Sequence, residues 1–189
     1  MSRSRNNTRL LTETAIMSAL SIVLSYIVIF RMPQGGSVSL VLLPLIFLSL
    51  RRGPIWGCTA GAICGVVQLM FGGYFLNPLQ VLFDYVFCFG TVGFAGFFAK
   101  PLQGALREKK QGQIFGYTLA ASFLGGFMAY LNNVISGIVF YGEYTPKGQS
   151  VFAYSTIYNA TYMVPEALAA MIIVWLLAAR APKLFIPEK

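Results

Sequence analysis

The charge-free stretches of this sequence constrain its fold more than any other feature. No Asp, Glu, Lys or Arg occurs in residues 14–30, 32–50, 53–83, 111–142 or 148–165. A helix that spans a bilayer needs about 20 mainly apolar residues, so each stretch can hold most of one span. Charged residues make up only 11% of the chain, well below the roughly 25% typical of soluble domains. The sequence therefore predicts an all-α integral membrane protein that forms a single domain over residues 1–189.

The apolar segments divide into six predicted membrane spans. We place them near residues 10–30, 38–50, 54–71, 78–99, 113–140 and 151–179. The second span is short and contains Pro44, which favours an irregular helix, and a five-span topology follows if this segment does not cross the bilayer. The basic start of the chain leads into a full-length span, so we expect no cleavable signal peptide.

The basic residues give the predicted orientation. In the six-span topology, 12 of the 14 Lys and Arg residues fall on one side of the membrane: Arg3, Arg5, Arg9, Arg51, Arg52, Lys100, Arg107, Lys109, Lys110, Arg180, Lys183 and Lys189. Only Arg31 and Lys147 fall on the other side. Cytoplasmic loops carry such an excess of basic residues, so both termini are predicted to be cytoplasmic, in a bacterial cell membrane. The net charge of +8 then needs no nucleic-acid partner.

Several classes of enzyme chemistry are excluded by composition. The chain has no histidine and a single aspartate, Asp84, which excludes a serine–histidine hydrolase, a histidine-ligated metal site and a paired-aspartate protease. The cysteines Cys58, Cys64 and Cys88 lack a CxxC spacing and lie in apolar segments, where packing is the better interpretation. We therefore predict a non-enzyme with no bound cofactor or metal.

Polar side chains collect toward the outer ends of the last three spans. Asp84 lies about six residues into the fourth span, or ~9 Å from its outer end. Near it in depth lie Tyr74, Tyr85, Tyr130, Asn132, Asn133, Tyr141, Tyr144, Tyr154, Tyr158, Asn159 and Tyr162, with Glu166 deeper. A carboxylate among tyrosines suits a small, flat ligand that carries a cation or an aminopyrimidine edge. Single tyrosines can instead form an interfacial belt, single asparagines can link helices, and Glu166 can serve local hydrogen bonding.

Small residues form two ridges. Ala15 and Ala19 lie four residues apart in the first span, beside Thr14, Ser18, Ser21 and Ser25 at helical spacing. The third span carries glycine at every fourth position: Gly53, Gly57, Gly61 and Gly65. Such ridges let helices approach closely, either inside one bundle or against another membrane protein.

The sequence resembles the thiamine-specific S-components of energy-coupling factor (ECF) transporters, the ThiT or YuaJ type. The matching segments are RLLTETAIMSAL (9–20), MPQGGSVSLVLLPLIFLSLRRG (32–53), VLFDY (81–85), VISGIVFYGEYTPKG (134–148) and YSTIYNATYMVPE (154–166). The resemblance covers nearly the whole chain. It implies six helices, a vitamin site open to the outside, and partners consisting of one transmembrane T-component and two ATP-binding-cassette ATPases.

The resemblance also assigns roles to individual residues. The docking motif AxxxA falls on Ala15 and Ala19. The implied thiamine-binding residues are Tyr74, Asp84, Tyr85, Asn133, Tyr141, Tyr154 and Asn159. Asn133 stands where the family has histidine, and asparagine cannot stack or titrate comparably.

The alternatives that remain are S-components for hydroxymethylpyrimidine or vitamin B6 and, in another class, a secondary carrier coupled to protons through Asp84. An intramembrane enzyme and a structural scaffold fit less well, because the first lacks its catalytic groups and the second leaves Asp84 without a role.

Overall fold

The computed structural model describes residues 2–33 and 35–187, with side chains from residue 7 onward. Arg3, Arg5 and Lys189, which contribute to the predicted orientation, therefore have side chains outside the described part. The described chain forms six helices: α1 Ser2–Tyr26, α2 Leu42–Arg52, α3 Pro54–Met70, α4 Pro78–Arg107, α5 Gln111–Phe140 and α6 Val151–Arg180. A hairpin of β1 Phe30–Arg31 and β2 Ser37–Val38 lies between α1 and α2, and 3-10 turns occur at Gly142–Tyr144 and Pro182–Phe185.

The prediction of a mostly helical membrane protein is confirmed. Among the described residues, α4, α5 and α6 are each long and apolar enough to cross a membrane, and α3 is a shorter apolar helix. Helix α4 is not uniform, because it contains a π-helical turn at Leu82–Phe87 and a 3-10 segment at Val92–Phe98. Its first turn begins at Pro78 and is capped by Asn77, whose Oδ1 accepts a hydrogen bond from the Gln80 N–H at 3.0 Å.

Two helix boundaries differ from the sequence prediction because of the hairpin. The first predicted span, 10–30, ends as a helix at Tyr26, and the helix of the second, 38–50, begins only at Leu42. The intervening chain pairs Phe30 with Val38 in an antiparallel ladder. Gly35 and Gly36 make the turn with φ angles of 92° and 89°, which L side chains rarely adopt.

A third boundary differs at the other end of the bundle. Helix α4 continues to Arg107, beyond the predicted end at residue 99. The extension is amphipathic, since its own residues Leu102, Ala105 and Leu106 are buried while others are exposed. Gln103 fixes it by donating hydrogen bonds to the carbonyls of Leu50 and Arg51, at 3.1 and 3.0 Å. The hydrophilic segment is therefore mostly helix rather than loop.

The core forms around α2 and the glycine ridge of α3. Five α2 side chains are almost wholly buried: Leu42, Leu45, Ile46, Leu48 and Leu50. A Cβ on Gly57 would collide with Ser49 of α2, and one on Gly61 or Gly65 would collide with the backbone of α4 at Phe89 or Tyr85. The glycines at 57, 61 and 65 therefore serve packing inside this bundle, whereas Gly53 precedes α3 and a Cβ there would meet nothing within 4 Å.

An ion-pair cluster joins the elements at the end of the bundle near the two termini. Glu13 of α1 accepts hydrogen bonds from Arg51 and Arg52, with Nε–Oε2 distances of 3.1 and 2.5 Å. Arg51 also donates to the carbonyl of Leu184 in the last 3-10 turn. Phe185 of that turn is fully buried and meets the ring of Phe47 edge-on. We call this the termini end, and the opposite end, which carries the hairpin, the hairpin end.

Candidate ligand site

A cavity of about 510 Å³ opens at the hairpin end. Its walls come from the hairpin and from all six helices, with only the end of α1 and the start of α2 contributing, and its volume lies within the roughly 300–1,000 Å³ typical of small-molecule sites. All seven residues predicted to bind the ligand line this one cavity: Tyr74, Asp84, Tyr85, Asn133, Tyr141, Tyr154 and Asn159. The fold thus brings together side chains that are as many as 85 positions apart in the sequence (159 − 74).

The carboxylate of Asp84 is oriented by two donors. The Tyr141 hydroxyl donates to Oδ2 at 2.8 Å, and Nε2 of Gln80 donates to the same oxygen at 2.5 Å. Within the described part of the chain Oδ1 accepts no hydrogen bond, so it is available to a ligand. Asp84 and Tyr85 are adjacent in sequence, both line the cavity, and both lie in the π-helical turn. π-bulges occur frequently at functional sites.

Three tyrosines that line the cavity, Tyr74, Tyr85 and Tyr141, form a cluster with Tyr144. The Tyr74 and Tyr141 rings lie 6.2 Å apart, and the Tyr141 and Tyr144 rings 6.0 Å apart. Tyr85 binds the loop between α3 and α4, because its hydroxyl accepts from the Tyr74 N–H at 2.5 Å. The hydroxyls of Tyr74 and Tyr144 are 3.2 Å apart, and this hydrogen bond raises the pKa of Tyr144. The exposed rings offer aromatic faces to a planar or cationic ligand.

Amide side chains of α5 and α6 form the opposite wall. Asn133 donates from Nδ2 to the Tyr162 hydroxyl at 3.2 Å, and that hydroxyl donates to Oδ1 of Asn159 at 2.6 Å. The Asn159 amide in turn donates to the Ser155 carbonyl at 2.9 Å. Asn133 is thus held by protein partners on its nitrogen side, while its Oδ1 takes no hydrogen bond from the described residues. Tyr154 stacks beside Tyr158, with ring centroids 5.7 Å apart.

The hairpin lies against one face of α6. The Tyr158 hydroxyl donates to the Gly35 carbonyl at 3.0 Å, and a Cβ on Gly36 would come within 2.6 Å of the Tyr162 ring. Two turns farther along, Oε1 of Glu166 accepts from the Ser39 hydroxyl at 2.8 Å. Glu166 is only 4% exposed, and it lines the cavity. Glu166 therefore makes the kind of local hydrogen bond that the sequence suggested as one of its possible roles.

The sequence did not predict the contact of Gln80 with Asp84, nor the hairpin residues that line the cavity. The hairpin is hidden from periodicity because its strands have only two residues each. Gln80 had one available signal, its position four residues before Asp84 on the same helix.

Ala15 and Ala19 lie away from the cavity. Both alanines are exposed on the surface of α1. Thr14 and Ser18, one position before each alanine, face inward and are 3% and 2% exposed. The Ser18 hydroxyl donates to the Ala60 carbonyl of α3 at 3.2 Å. The alanine ridge is thus left uncovered by the described part of the chain, unlike the glycine ridge.

The fold and the cavity define a class: a helical membrane protein with a cavity of the size that small-molecule ligands occupy. The chain belongs to the thiamine transporter family, because the family model described as Thiamine transporter protein (Thia_YuaJ) matches residues 11–186. The resemblance to the ThiT or YuaJ type is thereby confirmed.

Relatives and a solved structure agree along the whole chain. The thiamine transporter ThiT of Bacillus subtilis (strain 168) is 39% identical over 192 residues, which cover 100% of both chains. ThiT of Lacticaseibacillus paracasei is 34% identical over 93% of this chain and 90% of its own length. A solved structure of ThiT from Listeria monocytogenes is similar with a TM-score of 0.90 at 27% identity, covering 96% of this chain and 100% of that one.

Proposed function

We propose that this chain is the substrate-binding S-component of an ATP-driven vitamin importer of the ECF type, and that it captures thiamine from outside the cell. The observation that carries the proposal is that one cavity brings Asp84 together with a set of tyrosines and amides. Membership of the thiamine transporter family supports the same ligand.

The chemistry of the cavity matches the two rings of thiamine. One ring is a cationic thiazolium, which carboxylates and tyrosine faces attract. The other is an aminopyrimidine, whose amino group can donate hydrogen bonds to the free Oδ1 atoms of Asp84 and Asn133. A hydrogen bond to a charged group contributes more than one between neutral groups, so Asp84 is expected to contribute most to affinity.

The proposed topology is one six-helix domain in the bacterial cytoplasmic membrane, with both termini in the cytoplasm. The described basic residues Arg51 and Arg52 lie at the termini end, as does Lys183. Basic residues concentrate on the cytoplasmic side of membrane proteins. The hairpin end, with the cavity, would then face outward.

The proposed partners are one transmembrane T-component and two ATP-binding-cassette ATPases. This chain would bind and deliver thiamine without catalysis and without a cofactor of its own, while the partner ATPases hydrolyse ATP. The exposed alanine ridge at Ala15 and Ala19 supports docking there, since small residues let a partner helix approach closely.

One observation favours a second ligand. Asn133 replaces the family histidine, so the site loses a ring that could stack or titrate. Hydroxymethylpyrimidine and vitamin B6 are the ligands that such a change would accommodate, and the same capture mechanism would apply to them. A proton-coupled carrier that uses Asp84 is the remaining alternative in another class.

Two experiments test the proposal. In the first, the protein is purified from cells in mild detergent, and the small molecules released from it are identified by mass spectrometry. A mass equal to that of thiamine is expected. Uptake in intact cells is then measured after ATP depletion and, separately, after collapse of the proton gradient. Uptake that stops only when the gradient collapses would contradict the ECF assignment in favour of a carrier.

A further inference from the structure

Gln80 is the most completely buried polar side chain beside the ligand cavity. Its relative exposure is 0%, although it lies in the first turn of a helix whose neighbours Leu79 and Leu82 are exposed. The Asn77 cap holds its backbone N–H at the start of α4. A buried amide is costly unless its donors and acceptors are satisfied, so the contacts of this side chain need an account.

The Gln80 side chain joins the loop between α3 and α4 to the Asp84 carboxylate. Its Oε1 accepts from the Leu76 N–H at 2.9 Å. Its Nε2 donates to the Tyr74 carbonyl at 3.2 Å and to Oδ2 of Asp84 at 2.5 Å. One amide thus holds two backbone groups of the loop that carries Tyr74 and one oxygen of the carboxylate that faces the cavity.

We propose that Gln80 is a positioning residue for ligand recognition, an inference that rests on the proposed function of Asp84. Gln80 and Tyr141 together hold Oδ2, so that Oδ1 is presented to the ligand. The same amide keeps Tyr74 in register with the carboxylate, so the two ligand-facing groups are held as one unit.

The neutral charge of the amide matters for specificity. A lysine or arginine at this position would pair with Asp84 and cancel the negative charge that attracts a cationic ligand. A glutamate would place a second carboxylate against Oδ2, where like charges repel. Glutamine orients the carboxylate by a hydrogen bond and leaves its charge for the ligand.

The test compares four variants by calorimetric titration with thiamine: Gln80→Met, Gln80→Glu, Asp84→Asn and the double variant Gln80→Met with Asp84→Asn. Methionine has a similar length and no amide. Gln80→Met is expected to weaken binding about ten-fold, and Asp84→Asn about ten-fold to more than a hundred-fold. Because we expect Gln80 to affect affinity mainly through Asp84 rather than through Tyr74, the double variant should be no more than about two-fold weaker than Asp84→Asn alone.

Gln80→Glu separates positioning from a merely structural role. Glutamate keeps the acceptor for the Leu76 N–H, which methionine lacks, but like methionine it loses the amide donor to Asp84 and to the Tyr74 carbonyl. The proposal expects it to bind thiamine at least as weakly as Gln80→Met, whereas a role confined to the loop predicts a milder loss. Should Gln80→Met fail to fold, Gln80→Glu decides by itself, with its melting temperature measured alongside.

The matched control is Gln103→Leu. Gln103 lies on the same helix and donates to two backbone carbonyls near the termini end, far from the cavity. The Gln103→Leu variant should have a lower melting temperature and an unchanged affinity for thiamine. Additive losses in the double variant, or unchanged affinity in both Gln80 variants, would overturn the inference while leaving the proposed function standing. Unchanged affinity in Asp84→Asn would overturn both.

Discussion

Two ridges of small residues have opposite environments in this molecule. The glycines of α3 pack against other helices inside the bundle, because a Cβ at Gly57, Gly61 or Gly65 would collide with α2 or α4. The alanines of α1 remain exposed on its outer surface, although their neighbours Thr14 and Ser18 are buried. The same spacing of four residues therefore marks contact within the chain in one helix and an uncovered face in the other.

The difference indicates which parts of the molecule serve its two proposed functions, ligand capture and partner docking. The α3 ridge sets the distance between α3 and the π-helical turn of α4, so it supports the cavity wall that carries Asp84 and Tyr85. The α1 ridge touches none of the cavity. Ligand capture should depend on the α3 ridge, and partner docking should depend on the α1 ridge.

The largest effect is expected from filling the α3 ridge. Gly61→Leu would drive a side chain into the backbone of α4 at Phe89, which cannot yield as a flexible side chain could. The variant should fail to accumulate as a folded monomer, as judged by size-exclusion chromatography in detergent. Gly116→Leu is the control, since a Cβ at Gly116 meets nothing within 4 Å. A well-folded Gly61→Leu protein with normal thiamine affinity would break the comparison.

Filling the α1 ridge should abolish assembly and leave capture intact. The double change Ala15→Trp and Ala19→Trp would block close approach of a partner helix. Thiamine affinity in detergent is expected to be unchanged, while co-purification of the T-component and ATPases is lost and uptake stops. The measurement is affinity purification of the complex from co-expressing cells.

A matched control for this docking test exists on α6. Leu168 and Ile172 are also exposed and four residues apart, at 50% and 49%. Leu168→Trp with Ile172→Trp should leave assembly intact. If the α1 variant assembles normally as well, the alanine ridge is not the docking face.

The character of the capture site predicts its preference among vitamins. Tyr85, Tyr141 and Tyr154 line the cavity together with the Asp84 carboxylate, a combination that suits a positively charged ring better than a neutral one. Thiamine is therefore expected to bind more than ten-fold more tightly than pyridoxine in a displacement assay. If pyridoxine or hydroxymethylpyrimidine displaces thiamine, Asn133 has changed the specificity.

The smallest expected effect comes from the buried face of α1. Ser18→Ala removes the hydrogen bond to the Ala60 carbonyl, and such interhelical bonds contribute about 0.6 kcal/mol on average in membrane proteins. Thermal unfolding should shift by a few degrees at most, with assembly and thiamine affinity unchanged. A loss of assembly as severe as that of the Ala15 and Ala19 variant would mean that the α1 helix acts as a whole.

The sequence predicted much of this molecule because apolar length and polar residue type are local properties. The six helices followed from charge-free stretches, and Asp84 with its tyrosines and amides followed from their depth in the spans. The hairpin between α1 and α2 was missed because two-residue strands leave no periodic signal. The extension of α4 to Arg107 was missed because an amphipathic helix at a membrane surface resembles a hydrophilic loop in composition.

The contacts of Gln80 illustrate a further limit. Its burial depends on the loop that folds back over it, and no local pattern predicts that loop. The fate of the two small-residue ridges likewise depends on which helices lie beside α1 and α3. Spacing alone left that choice open, and only the packed structure distinguishes them.

The central claim is that Asp84 holds a cationic vitamin in the cavity at the hairpin end. Calorimetric titration of thiamine into the purified protein and into Asp84→Asn tests it most directly, because the substitution removes the charge and keeps the shape. Loss of a charge-assisted hydrogen bond of about 1.5–3 kcal/mol corresponds to a ten-fold to more than hundred-fold weaker affinity. We expect that loss with an unchanged melting temperature of the unliganded protein. Equal affinity of the two proteins for thiamine would contradict the account.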